Sequence, residues 1–232
     1  MAQRIICFIS ILTLKTMNRK EYYNNKKTYK VSGGREVSIL GLIPKHPGRV
    51  LDLGCGRGDL AKELKSRGWE VVGADISGDS LLEASAFLTE SFCFNFEDEL
   101  WPQELMSQQF DLIIASEVIE HVFSPEQLLS KLKNLLEVDG KVIITTPNFL
   151  FWKNRLSILF GKFQYQDQGL LDFGHIRFYT IKTARELFRD VGLKIQKEKH
   201  FYPNLYKRKL NFLGRLFPGL FAYQMIFLLF KS

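Results

Sequence analysis

Cysteine is scarce in this chain, and the few cysteines stand far apart. Cys7, Cys55 and Cys93 are the only three among 232 residues. Their number and spacing fit neither a disulfide framework nor a cysteine-rich metal cluster. Free thiols are typical of a reducing compartment, so we expect a cytoplasmic protein.

Long apolar runs and dense charge clusters are also missing. The apolar runs at residues 5–14 and 221–230 are about half the roughly 20 residues that a membrane-spanning helix needs. The net charge is +7, but the basic residues are dispersed except at residues 26–27 and 207–209. This pattern predicts solvated surface, and we expect no nucleic-acid partner.

The most specific feature present is a glycine-rich loop that follows an apolar run. Residues 50–59 read VLDLGCGRGD, with Asp52 before a rhythm of Gly54, Gly56 and Gly58. Glycines there let the backbone turn tightly out of a strand and approach a ligand closely. The loop predicts a site for an adenosine-containing cofactor. Residues 56–61, followed by Asp75, also satisfy the dinucleotide fingerprint, so a nicotinamide-dependent (NAD) oxidoreductase is one alternative.

The acid before the first glycine, together with the glycine rhythm, resembles motif I of the class I S-adenosylmethionine-dependent methyltransferases. The order of motifs extends the resemblance over residues 35–231, and a bacterial subgroup linked to methionine biosynthesis, quinone-type rings and surface glycans is the most similar. The resemblance implies S-adenosylmethionine as cofactor. It implies that Gly54, Gly56 and Gly58 pass under the cofactor, that Asp52 lies near its amino-acid portion, that Asp75 binds the ribose hydroxyls and that Ile76 lies against the adenine.

The same resemblance implies further cofactor contacts. Asn95 stands where the family often has an aspartate that meets the adenine amino group, and the backbone at Phe96 is an alternative partner. An Asn carbonyl can accept from that amine, although without the charge of a carboxylate. Ser116, at the end of an apolar run, is expected near the methionine portion.

Strand and helix signals alternate along the chain. Short apolar runs predict buried strands at residues 50–53, 71–74, 112–115 and 142–145, and two later strands at residues 193–200 and 222–230. This order predicts an α/β fold with a Rossmann-like, doubly wound, mostly parallel sheet. The resemblance implies that the sheet has seven strands. The resemblance implies that the last two strands form an antiparallel pair at its edge.

Helix boundaries are marked by caps and glycines. A helix is expected from Asp59 to Gly68, where glycine suits a helix terminus. The sequence Ser124-Pro125-Glu126-Gln127 predicts a capping box for a helix that ends at a turn formed by Asp139 and Gly140. Thr180 predicts a cap for a helix over residues 181–190.

We expect one domain at residues 35–232, preceded by an N-terminal extension at residues 1–34 in which Met17 is an alternative start. Two insertions are expected to shape the site. Residues 146–179 are rich in aromatics and predict an acceptor site. Residues 203–221 predict a lid or, through the basic and apolar segment 205–221, peripheral contact with the inner face of a membrane.

Methyl transfer to a hydroxyl needs one general base, and His121 and His175 are the candidates. Each could instead be structural. If residues 117–121 are helical, Glu117, Glu120 and His121 share one face and could bind a divalent cation. Similar Glu-x-x-Glu-His segments occur in quinone-type O-methyltransferases, but we expect no metal, because acids on a helix face are usually solvated.

The sequence therefore predicts a methyltransferase that uses S-adenosylmethionine to methylate an oxygen of a small, glycan or lipid-linked acceptor. The alternative from another class is a non-catalytic protein that binds S-adenosylmethionine and regulates or contacts a partner.

Overall fold

A computed structural model of the chain describes residues 6–7, 33–202, 214 and 216–231. Its centre is one sheet with the strand order β1-β4-β3-β2-β5-β6-β8-β7. The strands are β1 (Ile6–Cys7), β2 (Arg49–Leu53), β3 (Glu70–Asp75), β4 (Glu90–Cys93), β5 (Phe110–Ser116), β6 (Leu136–Pro147), β7 (Leu193–Phe201) and β8 (Gln224–Lys231).

Strands β1 to β6 pair in parallel, and β8 runs antiparallel to both β6 and β7. The seven strands β2 to β8 confirm the predicted Rossmann-like sheet with an antiparallel terminal pair. The two-residue strand β1, which lies within the expected N-terminal extension, adds an eighth strand beside β4. Parallel strands buried on both faces explain why the apolar runs were continuous and not alternating.

Strand β6 is longer than its predicted core. It begins at Leu136, so the predicted turn at Asp139 and Gly140 is wrong. The pairing passes from Phe110–Leu136 directly to Leu112–Lys141, which makes residues 137–140 a bulge within the strand. A Cβ atom on Gly140 would lie 2.8 Å from the carbonyl oxygen of Phe110, so glycine permits a close backbone approach there.

Helices cover both faces of the sheet. They are α1 (Gly33–Leu40), α2 (Asp59–Ser66), α3 (Gly78–Ala84), α4 (Gln103–Met106), α5 (Pro125–Asn134), α6 (Trp152–Leu159), α7 (Ile181–Asp190) and α8 (Pro218–Phe221), with 3₁₀ turns at Ser85–Phe87 and Ile119–His121. Two buried apolar clusters, one on each face, hold α1 to α5 and α7 against the strands.

The two predicted caps have different outcomes. Thr180 caps α7 through its hydroxyl, which accepts from the Thr183 amide in a reciprocal capping box. Ser124 precedes α5, but its side chain accepts no capping hydrogen bond, so that predicted capping box is wrong. Pro125 has no N–H and so removes one of the donors that a cap would satisfy.

The insertions are described unequally. Of residues 146–179, the first two end β6 and the others form α6 and irregular loops. Of the segment 205–221, residues 205–213 and 215 lie outside the described part, so its prediction as a lid or membrane contact stays a prediction. The proposed start at Met17 also lies outside it. No helix among the described residues is long and apolar enough to cross a membrane.

Candidate cofactor and acceptor site

A cavity of about 240 Å³ opens beyond the carboxyl ends of β2, β3, β4 and β5. In open parallel sheets this edge is where ligands bind. The predicted cofactor residues that line it are Asp52, Gly54, Gly56, Asp75, Ile76, Asn95, Phe96 and Ser116. Gly58 is the predicted residue that does not line it. Helix α1 contributes Arg35 and Ile39 from the opposite side.

Gly56 and Gly58 of the loop have different structural roles. Gly56 has a φ of +52°, and a Cβ atom there would meet nothing within 4 Å, so its backbone faces open space at the cavity. Gly58 has a φ of +84°, and a Cβ atom there would lie 2.9 Å from that of Ala84. Gly58 therefore lets α2 and α3 pack closely at the end of the loop, and its place is structural.

Asp75 is held by the loop that it faces. Its carboxylate accepts from the amide of Gly56 at 2.9 Å and from the amide of Ser77 at 2.8 Å. Burial raises the pKa of Asp75, and the backbone donors of Ser77 and Gly56 oppose that rise. The two amides fix the carboxylate at the cavity wall, where each oxygen keeps a lone pair for vicinal hydroxyls.

Asp52 and Arg35 place opposite charges at the buried part of the cavity. Asp52 is 2% exposed, and its Oδ2 atom has no hydrogen-bond partner among the described residues. Burial and, secondarily, the nearby charge of Asp75 raise the pKa of Asp52 to about 7. Arg35 is 9% exposed, and its Nε atom likewise has no partner in the described part of the chain. Buried polar groups without partners are uncommon and mark a place where a ligand is expected.

Arg35 was missed by the sequence reasoning. It lies in a short amphipathic helix far from any motif, and a single arginine in such a helix usually faces solvent. Only the packing of α1 over the glycine loop brings it to the cavity.

The remaining predicted cofactor residues are already partly engaged. The Asn95 side-chain carbonyl accepts from the Glu97 amide at 3.1 Å, and the Phe96 carbonyl accepts from the Trp101 indole at 3.2 Å. Ser116 shares a 3.0 Å hydrogen bond with the Thr145 hydroxyl. These contacts fix the side of the cavity formed after β4 and β5.

Glu117 occupies an unusual backbone conformation at the end of β5. Its φ is +58°, which glutamate seldom adopts. Its Oε1 accepts from the Thr145 hydroxyl at 2.9 Å, and its Oε2 lies 3.6 Å from Arg35 Nη1. Glu117 therefore turns toward Arg35 and lies outside the 3₁₀ turn Ile119–His121, so the predicted helical face of Glu117, Glu120 and His121 is wrong.

The two candidate bases lie side by side, at different depths. His121 lines the cavity, whereas His175 is 4% exposed and lies behind it, with 4.7 Å between the ring centroids. His121 Nδ1 lies 2.8 Å from the Gly174 carbonyl oxygen. Because a carbonyl can only accept, Nδ1 carries the proton in this contact, and Nε2 of the neutral ring carries the lone pair. His175 makes the same kind of contact to the Leu170 carbonyl at 3.2 Å.

Glu120 lies close to the two histidines. It is 1% exposed, and neither carboxyl oxygen has a hydrogen-bond partner among the described residues. Burial and, secondarily, the charge of Glu117 raise its pKa well above the ordinary value, and its own backbone amide, the nearby Thr146 hydroxyl and the charge of Arg35 oppose that rise. Ligand atoms of Glu120, His121 and His175 lie within 4.8 Å of one another, which is a donor set that a divalent cation could use.

Exposed aromatic rings lie close in sequence to His121 and to its partner Gly174. Phe123 follows His121 by two residues and is 57% exposed, and Phe173, next to Gly174, is 56% exposed. Tyr165 stacks on Phe173, with 5.8 Å between centroids and 19° between planes. Phe163 contacts Tyr165 and Phe178 edge to face. Phe163, Tyr165, Phe173 and Phe178 thus form an aromatic cluster on the loop that carries Gly174, the hydrogen-bond partner of His121.

Comparisons with known proteins agree with this geometry. Residues 23–198 match the family model described as a methyltransferase domain. A ubiquinone biosynthesis O-methyltransferase from Glaesserella parasuis is 33% identical over 107 residues, which are 43% of this chain and 45% of that protein. The enzyme of the same name from Psychrobacter arcticus is 30% identical over 187 residues, which cover 75% of this chain and 68% of that enzyme. The match thus spans about half the length of the first of these relatives.

Solved structures show the same fold. A SAM-dependent methyltransferase from Archaeoglobus fulgidus superposes with a TM-score of 0.63 over 85% of this chain and 93% of its own, at 19% identity. At that identity the likeness establishes the fold alone. Neither finding supports the dinucleotide alternative, which depended on the glycine spacing only. The chain belongs to the methyltransferase-domain family, and it has the fold of the class I S-adenosylmethionine-dependent methyltransferases.

Proposed function

We propose that this chain transfers the methyl group of S-adenosylmethionine to a hydroxyl oxygen of a small aromatic acceptor. The observation that carries the proposal is the cavity itself. One part of it holds a buried carboxylate and a buried guanidinium with unpartnered atoms, and the other part ends at a histidine whose tautomer is fixed.

The residues present fit the cofactor. The methionine portion of S-adenosylmethionine carries an ammonium group and a carboxylate on one carbon. Asp52 and Arg35 offer the complementary charges, and each has an atom without a partner in the described chain. Asp75, held by two backbone amides, suits the ribose hydroxyls, and Ile76, Asn95 and Phe96 suit the adenine ring.

When bound, S-adenosylmethionine supplies an activated methyl group on a sulfonium. The work left to this chain is to align the acceptor, to exclude water and to take up the acceptor's proton. His121 is placed for the proton, because its Nδ1 proton is held by Gly174 and the lone pair lies on Nε2. His175, buried behind His121, is a positioning residue that holds the 170–175 loop through the Leu170 carbonyl.

The acceptor class is inferred from the rings around His121. Phe123, Phe173 and Tyr165 offer flat faces that suit an aromatic ring better than a sugar. Relatives named ubiquinone biosynthesis O-methyltransferases support an aromatic hydroxyl as well. A lipid tail on that ring is compatible with the open mouth of the site.

Cofactor binding is tested first by calorimetric titration with S-adenosylmethionine, S-adenosylhomocysteine and NAD. We expect binding of both sulfur nucleosides and none of NAD. Asp75→Ala should weaken the binding of both sulfur nucleosides by about 1 to 3 kcal/mol, because their charge-assisted hydrogen bonds to the carboxylate are lost. Asp79→Ala, an exposed acid four residues later in α3, is the matched control and should bind as the wild type does. Binding of NAD alone would refute the proposal.

Transfer is tested with tritiated S-adenosylmethionine and a panel of catechols and hydroxybenzoates. His121→Gln should lower kcat by about 10² to 10⁴ while leaving S-adenosylhomocysteine affinity unchanged, since the ring acts on the acceptor's proton. His46→Gln, at an exposed histidine remote from the cavity, is the control. Cofactor binding without turnover on any hydroxylated acceptor would favour the non-catalytic alternative.

A further inference from the structure

The loop after β6 exposes a compact group of large apolar side chains. We call residues 156–165, the end of α6 and the turn after it, the apolar tip. Leu159 is 77% exposed and Phe160 69%, and Leu156, Ile158, Phe163 and Tyr165 are each 45% or 46% exposed. Every residue from 158 to 169 is exposed. Isolated exposed apolar residues are ordinary, but a contiguous group of this size marks an interaction surface.

The tip is folded. Helix α6 ends in a Schellman motif, in which the Gly161 amide donates to the Ile158 carbonyl at 2.9 Å and the Lys162 amide donates to the Ser157 carbonyl at 2.8 Å. Gly161 takes the left-handed conformation that this motif needs, with a φ of +68°. The exposure of Leu159 and Phe160 is therefore a property of a hydrogen-bonded helix end.

The charges on α6 and within the apolar tip are all positive, and the next acid along the chain is the exposed Asp167, two residues after the tip. No aspartate or glutamate occurs between residues 140 and 166, whereas Lys153, Arg155 and Lys162 lie on α6 or directly after it. Arg155 is anchored to the carbonyls of Leu150 and Gly219, at 2.7 Å and 3.2 Å. An apolar helix end that carries three cations on or directly after its helix complements a surface that is apolar inside and anionic outside.

The chain itself is a poor cover for this surface. The segment 203–215 carries Lys207, Arg208, Lys209 and Arg215, and no acidic residue occurs from 201 to 232. Placing that segment over the tip would bring cations against cations.

We propose that the apolar tip inserts into the surface of a bilayer that contains anionic lipids, with Leu159 and Phe160 among the acyl chains and Lys153, Arg155 and Lys162 at the headgroups. This surface differs from the segment 205–221, and it would hold the protein beside acceptors that dissolve in the bilayer.

The test is co-sedimentation of the full chain with vesicles of phosphatidylcholine alone and of phosphatidylcholine with phosphatidylglycerol. We expect binding only to the anionic vesicles, weakened by salt. The double variant Leu159→Ser with Phe160→Ser should lower the partition coefficient about 100-fold, because each buried side chain contributes about tenfold or more. The control is Leu100→Ser with Val138→Ser, at residues that are 86% and 87% exposed on other elements; it should bind like the wild type.

Trp152 gives a second readout from within α6. Trp69 and Trp101 are buried, at 4% and 7% exposure, so quenching of tryptophan fluorescence by brominated acyl chains reports on Trp152. We expect quenching in wild type and control and none in the tip variant, with S-adenosylhomocysteine affinity equal in all three. That affinity separates failure of this inference from failure of the proposed function.

Three results would overturn the inference. One is the absence of wild-type binding to anionic vesicles. Another is binding that survives in the tip variant but is lost in Lys207→Ser with Lys209→Ser, which would move the contact to the segment 205–221. The third is self-association, seen by light scattering without lipid and abolished in the tip variant, which would make a second copy of the chain the occupant.

Discussion

Replacing Asp52 by asparagine should change the pH dependence of stability in a defined direction. In the folded chain, burial and the charge of Asp75 raise the pKa of Asp52 to about 7, against 3.8 for the ordinary side chain. Between these two values the folded state holds a proton that the unfolded state has lost. Stability from this group is therefore fully present below about pH 4, and it decreases as the pH rises through 7.

The magnitude follows from the width of that interval. One pKa unit corresponds to about 1.4 kcal/mol. Because Asp52 is ionised in the unfolded chain but still protonated in the folded one, the ligand-free protein loses roughly 3 kcal/mol of stability between pH 5 and pH 7. Asparagine has nearly the same shape and cannot ionise. The free energy of unfolding of Asp52→Asn minus that of the wild type should therefore grow by roughly 3 kcal/mol between pH 5 and pH 8.

The assay is urea denaturation of both proteins, without cofactor, at half-unit steps from pH 5 to pH 8. Glu120 also has a raised pKa, but it is present in both proteins and cancels in the difference. Asp75 is coupled to Asp52 through its charge, so that coupling is part of the measured difference. Two stability curves that stay parallel over this interval would refute the reasoning, because they would show that Asp52 is ionised throughout.

Three further predictions follow from the loop, the caps and the buried acid. Gly58→Ala should lower the free energy of unfolding, measured by circular dichroism, by about 2 kcal/mol or more, because the added Cβ would collide with α3. Gly56→Ala should lower it by only about 1 kcal/mol, and its main effect should be weaker binding of S-adenosylhomocysteine in calorimetry. Thr180→Ala should cost about 1 kcal/mol in thermal unfolding, and Ser124→Ala close to none, since only the first hydroxyl caps a helix; equal losses would contradict the assignment. EDTA should leave methyl transfer unchanged, because a cation bound by Glu120, His121 and His175 would have to displace the proton of the buried Glu120 carboxyl. If EDTA abolished activity and a divalent metal restored it, these three residues would be assigned as a metal site.

Much of the fold was predictable because its signals are local. The strands β2, β3 and β5 are continuous apolar runs, and α7 was placed at its observed bounds by Thr180 and the apolar period after it. The errors came from features that depend on packing. A glycine after an aspartate usually marks a turn, but Gly140 serves a close approach to the Phe110 carbonyl within a bulge.

The candidate site was predictable where one motif carries it. The loop from Asp52 to Gly56 and the acid Asp75 follow the ends of adjacent strands, so topology alone brings them together. The contacts of Arg35 with Glu117 and of His121 with His175 were not predictable, because each joins residues more than 50 positions apart in the chain. Glu117 was misplaced because its left-handed backbone breaks the helical spacing that the sequence suggests.

The position of β8 in the sheet has a consequence for biosynthesis. This strand is the last described along the chain, yet it lies between β6 and β7 and pairs with both over most of its length. As the chain leaves the ribosome, β7 emerges with no strand to pair with, and β6 has an open edge until β8 arrives. The cofactor half of the sheet can form early from neighbouring strands, whereas closure of the other half waits for the most distant contacts. Premature termination before Gln224 would leave two unpaired strand edges exposed to aggregation.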